Sequence, residues 1–179
     1  MRAKHMKATL LAAAAVFAVG AQAQDNTTAG IEAYREALQD GNPADLYVDS
    51  GAEIWKKKAG PKDASLEKCD LGLGPGKVKG AYAQLPRYFK DTNKVQDLES
   101  RLLTCMEKLQ GVDTAPIIKA GFTSPQKADL VALSAYVSSE SKGMKVKVSL
   151  AHPKEKQMYD LGRRLFYYEA GQYDFACAT

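Results

Sequence analysis

Apolar residues recur along most of this chain at helical rather than strand spacing. Ile31, Tyr34 and Leu38 form a short stripe closed by Gly41. Asn42-Pro43 then reads as a helix start, with Asn as N-cap and Pro at the first helical position. This second helix carries Tyr47, Gly51 and Trp55 on one face and is expected to end near Gly60-Pro61. Lys68 to Pro86 is rich in glycine without a period and predicts a long ordered loop. Val95, Leu98, Leu102, Cys105 and Leu109 share one helical face, so a helix ended by Gly111 is predicted there. Ser124-Pro125 caps another helix bearing Leu130, Leu133 and Val137. Met144 to Leu150 alternates weakly, as a strand would. A last helix begins near Pro153 and carries Met158, Leu161 and Leu165. The expected fold is mainly α with long loops.

The first residues stand outside this pattern. Arg2, Lys4 and Lys7 precede the apolar run Ala8 to Val19, and Ala21-Gln22-Ala23 follows it. Positive segment, short apolar core and small-residue cleavage site make a secretory signal, residues 1–23. The run is too short to span a bilayer stably, so no stable membrane insertion is expected. The signal also accounts for the chain's basicity. It holds three of the 25 Lys and Arg residues and none of the 21 Asp and Glu, leaving the remainder near neutral. That removes the case for nucleic-acid binding, and Lys56-Lys57-Lys58 reads as a solvated helix face. Export places the three cysteines, Cys69, Cys105 and Cys177, in an oxidising compartment, where thiols pair or are consumed by a cofactor.

Two segments echo each other. Trp55 follows Gly51 by four residues and Gly60 comes five later, ahead of Cys69. Phe166 follows Gly162 by four and Gly171 comes five later, ahead of Cys177. Only the approach to the cysteine differs, nine residues against six. A shared demand explains the match: the small residue admits a neighbouring helix and the aromatic fills the space one turn on.

Few other residues offer chemistry. Gly72-x-Gly74-x-Gly76-Lys77-Val78 lacks the first glycine and the final hydroxyl of a phosphate loop and reads as loop glycine. His152 is the one histidine after residue 23, so multi-histidine metal sites and Cys-His or Ser-His pairs have little to draw on. It reads as a surface residue. A cysteine opening the string Cys177-Ala178-Thr179 is how a C-x-x-C-H haem attachment begins, although a free or disulfide-bonded thiol is the plain reading of those three residues.

The helix, aromatic and glycine before Cys177 resemble the first helix of class I cytochromes c, and Ala128 to Val137 resembles their closing helix. Asn42 to Tyr47, Ser65 to Gly76, Gly80 to Phe89 and Val95 to Leu102 are similar to the N-terminal half of the SoxA family, and Tyr173 to Thr179 resembles the run into that family's active-site haem motif. The resemblance implies a periplasmic subunit of a haem-dependent L-cysteine S-thiosulfotransferase. Such a subunit, with a SoxX cytochrome partner, couples thiosulfate oxidatively to a cysteine of the carrier SoxYZ. It implies haem c in the complete protein and assigns Cys177 as the first haem thioether. The next residues, Cys-His, and a further cysteine ligand are expected downstream, with no catalytic residue or iron ligand inside this chain. Residues 24–143 then form a class I cytochrome c-like domain without haem, since Cys69-Asp70-Leu71-Gly72-Leu73 has neither second cysteine nor histidine. Residues 144–179 hold the first helix of a second, haem-binding domain. Cys105 lies on an apolar helix face, where a buried free thiol is the plain reading. In an oxidising compartment a Cys69–Cys105 disulfide is favoured, standing in for the lost cofactor and contributing about 2–4 kcal/mol. Arg163 and Arg164 lie near the expected haem site, with surface solvation as their simpler role. Two other readings compete: a non-enzymatic exported helical module that docks a partner, and a simple electron-transfer cytochrome.

Overall fold

The computed structural model describes residues 27–38, 42–121 and 123–179. The signal segment 1–23 and Gly41 lie outside them. Helix α1, residues 27–37, belongs to one compact unit, and the chain from Ala44 to Thr179 forms another. Within α1 and the residue after it, Ile31, Tyr34 and Leu38 are all exposed.

The second unit is built on the crossing of α2 (Ala44–Lys56) and α5 (Ala128–Ser139). Asp45 in the first turn of α2 and Lys56 in its last complement the helix dipole. Gly51 and Trp55 are its buried residues, and α5 buries Leu130, Ala132, Leu133 and Val137 against them. The backbones meet so closely that a Cβ at Gly51 would lie 2.0 Å from the carbonyl oxygen of Ala132. One turn on, Trp55 and Tyr136 pack with ring centroids 6.1 Å apart. Tyr47, expected on the same face, is exposed. The helix stops at Lys56, short of the expected Gly60, and a tight turn bridged between Ala59 and Ala64 follows.

The glycine-rich loop runs as expected, interrupted by a 3₁₀ turn at Tyr82–Gln84. An antiparallel hairpin then forms from β1 (Arg87–Phe89) and β2 (Lys94–Gln96), with Arg87 opposite Gln96. The sequence reading missed it, because strands of three residues show no measurable alternation. Val95 therefore belongs to β2 and not to the helix predicted from it. That helix, α3 (Leu98–Cys105), starts where the Asp97 side chain accepts the Ser100 N–H at 2.9 Å. It continues as one π-helical turn, Met106–Gln110, and closes at Gly111 with φ +73°. The predicted apolar face is correct nonetheless: Leu98, Leu102 and Cys105 are buried. A short helix α4 (Ala115–Lys119), not anticipated, precedes the 3₁₀ turn Pro125–Lys127 that leads into α5.

Met144 to Leu150 forms no strand. Its alternation has no ladder to serve: Lys147 donates one backbone bond to Ala83 at 2.7 Å, and Met144, Val146, Val148 and Leu150 are all exposed. Helix α6 (Pro153–Phe166) begins at the predicted proline. Its stripe Met158, Leu161 and Leu165 is exposed, in contrast to that of α5.

Candidate functional site

Two of the three cysteines are joined. Cys69 and Cys105 form a disulfide across 5.6 Å between Cα atoms, and both are buried. The loop after α2 carries Cys69 inward, where its carbonyl accepts the Gly76 N–H at 3.0 Å and Leu66 and Leu71 pack on either side in sequence. α3 delivers Cys105 from the opposite wall, next to Leu102 and Met106. The glycines beyond Cys69 have their N–H groups engaged within the loop itself. The Asp70 carboxylate accepts the N–H groups of Gly72 (2.7 Å) and Gly74 (3.0 Å), filling the concavity that a phosphate would need.

Cys177 is the remaining thiol and is exposed. It follows α6 through a turn bridged between Ala170 and Phe175, with Gly171 at φ +84° and Asp174 at φ +48°. The turn after α2 has the same construction: Ala59 bridges Ala64, Gly60 is at φ +70° and Asp63 at φ +44°. The echo in sequence is thus an echo in backbone shape, each helix ending in one turn that leads to a cysteine. The surroundings differ. A Cβ at Gly60 would lie 2.3 Å from the Gln110 carbonyl oxygen, whereas Gly162 and Gly171 have nothing within 4 Å. Phe166, Tyr173 and Phe175 around the second turn are exposed.

No group of three metal-ligating side chains occurs among the described residues. Arg163 and Arg164 are exposed on α6. A cleft of about 430 Å³ beside α6 is lined by Val95, Val148, Leu150, Met158 and Tyr159, with Asp97 and Glu155 as its charged members. Both carboxylates are occupied: Asp97 caps α3, and Glu155 accepts the N–H groups of Tyr88 (2.8 Å) and His152 (3.1 Å). Burial pushes the Glu155 carboxyl up, but those two N–H donors, the Ser149 side chain and the charge of Arg87 together draw it below its usual value. His152 is not a bare surface residue. Its Nδ1 accepts the Lys154 N–H at 3.2 Å and its ring lies on Tyr88. Sequence reading missed Glu155, although His152-Pro153-Lys154-Glu155 has the spacing of a capping box.

An α2–α5 helix crossing, a glycine at the crossing point and a helix–turn–cysteine define a helical cytochrome c-like protein. A family model described as SoxA/TsdA, cytochrome c domain, matches residues 50–146, more than half of the chain. The chain belongs to that family. It is 54% identical over 149 residues to the L-cysteine S-thiosulfotransferase subunit SoxA of Hydrogenophilus thermoluteolus, covering 83% of this chain and 55% of that protein. The SoxA of Hydrogenobacter thermophilus is 39% identical over 138 residues, covering 76% and 50%. Among solved structures, that of SoxXA from P. pantotrophus aligns with a TM-score of 0.61 and 28% identity over 76% of this chain and 48% of its own. The chain thus spans about half the length of these relatives. A cytochrome c domain of this family implies covalently bound haem c in the complete protein. Among the described residues one exposed sulfur, Cys177, has the chemistry of a haem thioether, and the string Cys177-Ala178-Thr179 supplies neither the second cysteine nor the histidine of an attachment motif.

Proposed function

We propose that this chain is part of a SoxA-type subunit of a periplasmic L-cysteine S-thiosulfotransferase, which couples thiosulfate oxidatively to a cysteine of a SoxYZ-type carrier together with a SoxX-type cytochrome. Residues 24–143 serve as a cytochrome c-like domain whose cofactor is replaced by the Cys69–Cys105 disulfide. Residues 144–179 open a second domain in which Cys177 is the first thioether to haem c, with the remaining attachment and ligand residues downstream. The signal-like segment 1–23 supports export to the periplasm, and the buried disulfide is in keeping with an oxidising compartment. The observation that carries the reading is the 54% identity to a SoxA subunit over 149 residues, 83% of this chain.

The test is to produce the complete protein containing this segment with periplasmic haem maturation, then map its peptides by mass. Haem is expected on the peptide containing Cys177 and absent from those containing Cys69 and Cys105, and thiosulfate coupling is expected once SoxX-type and SoxYZ-type partners are added. A Cys177 peptide of unmodified mass, in a protein that is otherwise folded and exported, overturns the reading.

A further inference from the structure

The N-terminus of α6 is tied to the β1–β2 hairpin by contacts that the Cys177 turn does not require. The His152 ring lies flat on Tyr88 of β1, with centroids 3.6 Å apart and planes 3° from parallel. Its Nδ1 accepts the Lys154 N–H at 3.2 Å, which makes His152 the N-cap of α6. Glu155 joins the two elements, one oxygen on the His152 N–H and the other on the Tyr88 N–H, 67 residues away in sequence. Lys154 Nζ donates to the carbonyl and to Oδ1 of Asn93 in the hairpin turn, at 2.7 and 2.8 Å.

We infer that these residues form a pH-sensitive latch, in which a neutral His152 fastens α6 to the hairpin and a protonated one releases it. The cap needs a lone pair on Nδ1. Neutral imidazole has one acceptor nitrogen, and imidazolium has none, donating at both. Protonation therefore sets two N–H donors against each other across the 3.2 Å contact. The neighbouring charges do not offset this. On α6, Lys154 adds a cation whose Nζ sits at Asn93 of the hairpin turn, 5.9 Å from the Tyr88 ring centroid; on the hairpin, β1 contributes Arg87 and β2 contributes Lys94. Asp91 of the turn is taken up by Arg101 and Lys108. Glu155 favours an imidazolium, yet both its oxygens already hold backbone N–H groups. The Tyr88 face attracts an imidazolium too, but leaves the donor–donor clash at the ring edge in place. α6 carries the chain toward Cys177, so release loosens the helix that presents that thiol.

Amide hydrogen exchange by NMR on the whole chain tests this between about pH 7.5 and about pH 5.5, with rates corrected for intrinsic exchange. Opening at the Lys154 and Tyr88 amides is expected to rise about fivefold toward acid, the size of a lost N-cap, while the core amide of Leu102 is unchanged. His152→Asn supplies a capping oxygen that does not titrate, and is expected to remove the acid step while keeping the protection seen at high pH. A flat wild-type profile, the same step in His152→Asn, or a parallel change at Leu102 overturns the latch. Should the variant not fold, the wild type decides alone: the His152 ring and the Lys154 amide must titrate with one midpoint, and separate midpoints overturn it.

Discussion

Arg101 occupies the apolar side of α3 at 5% exposure, next to Leu98, Leu102 and Cys105. Burying a guanidinium is costly unless its donors are matched. Here Nε donates to the Asp70 carbonyl at 2.6 Å, Nη1 reaches both Asp91 oxygens at 2.9 Å, and the group lies 3.9 Å over the Phe89 ring. Arg101 thereby joins the disulfide loop, the hairpin and α3. Burial raises the Asp91 carboxyl, but the Lys108 and Arg101 donors and their charges draw it down further, to a net position below the usual value. A carboxyl lowered in the folded state contributes stability that is full above its unfolded value, near pH 4, and lost as the pH falls through the folded one. Arg101→Met is expected to cost about 2 kcal/mol in urea unfolding at neutral pH, mainly from the stranded Asp70 carbonyl and Asp91. The same variant should lose part of the acid-dependent destabilisation below about pH 4, because Asp91 then has less to lose on protonation. An unchanged acid limb would show that Arg101 does not hold that carboxylate. None of this was legible in the sequence, where Arg101 interrupts a helix face and nothing marks its partners.

At the scale of elements, two equivalent glycines on two similar helices make opposite predictions. Gly51 lets α2 touch the backbone of α5, whereas Gly162 on α6 meets nothing within 4 Å. Gly51→Ala is expected to force the helices apart and to cost about 2–3 kcal/mol or more, seen as a lower urea midpoint. Gly162→Ala in this chain should instead stabilise by about 0.5–1 kcal/mol through helix propensity alone, with a gain in helical ellipticity. Equal effects would remove the contrast between a packed and an open helix. The periodicity of α5 and the proline start of α6 were readable because long helices repeat their signal over several turns. The hairpin, α4 and the π turn after Cys105 were not, since each is too short to establish a period and depends on what it packs against.

The molecule as a whole depends on the Cys69–Cys105 cross-link, which spans 36 residues and ties the loop after α2 to α3. Replacing both cysteines with alanine is expected to lower stability by about 3–4 kcal/mol, and thiol titration of the native oxidised chain should find one reactive group, Cys177. A second reactive thiol before unfolding would contradict the buried disulfide. The sequence by itself determined the helical class, the apolar faces of α3 and α5, the repeated helix–turn–cysteine and the family, because those rest on local periodicity and on strings of residues that can be read in order. The Cys69–Cys105 pair was expected from the sequence and is formed, whereas tertiary structure alone decided that Asp70 fills the glycine loop, that Arg101 is buried, and that Glu155 links β1 to α6. Each of these joins residues far apart in the chain, and such pairings follow from how the elements close on one another in space, which no local pattern of side chains encodes.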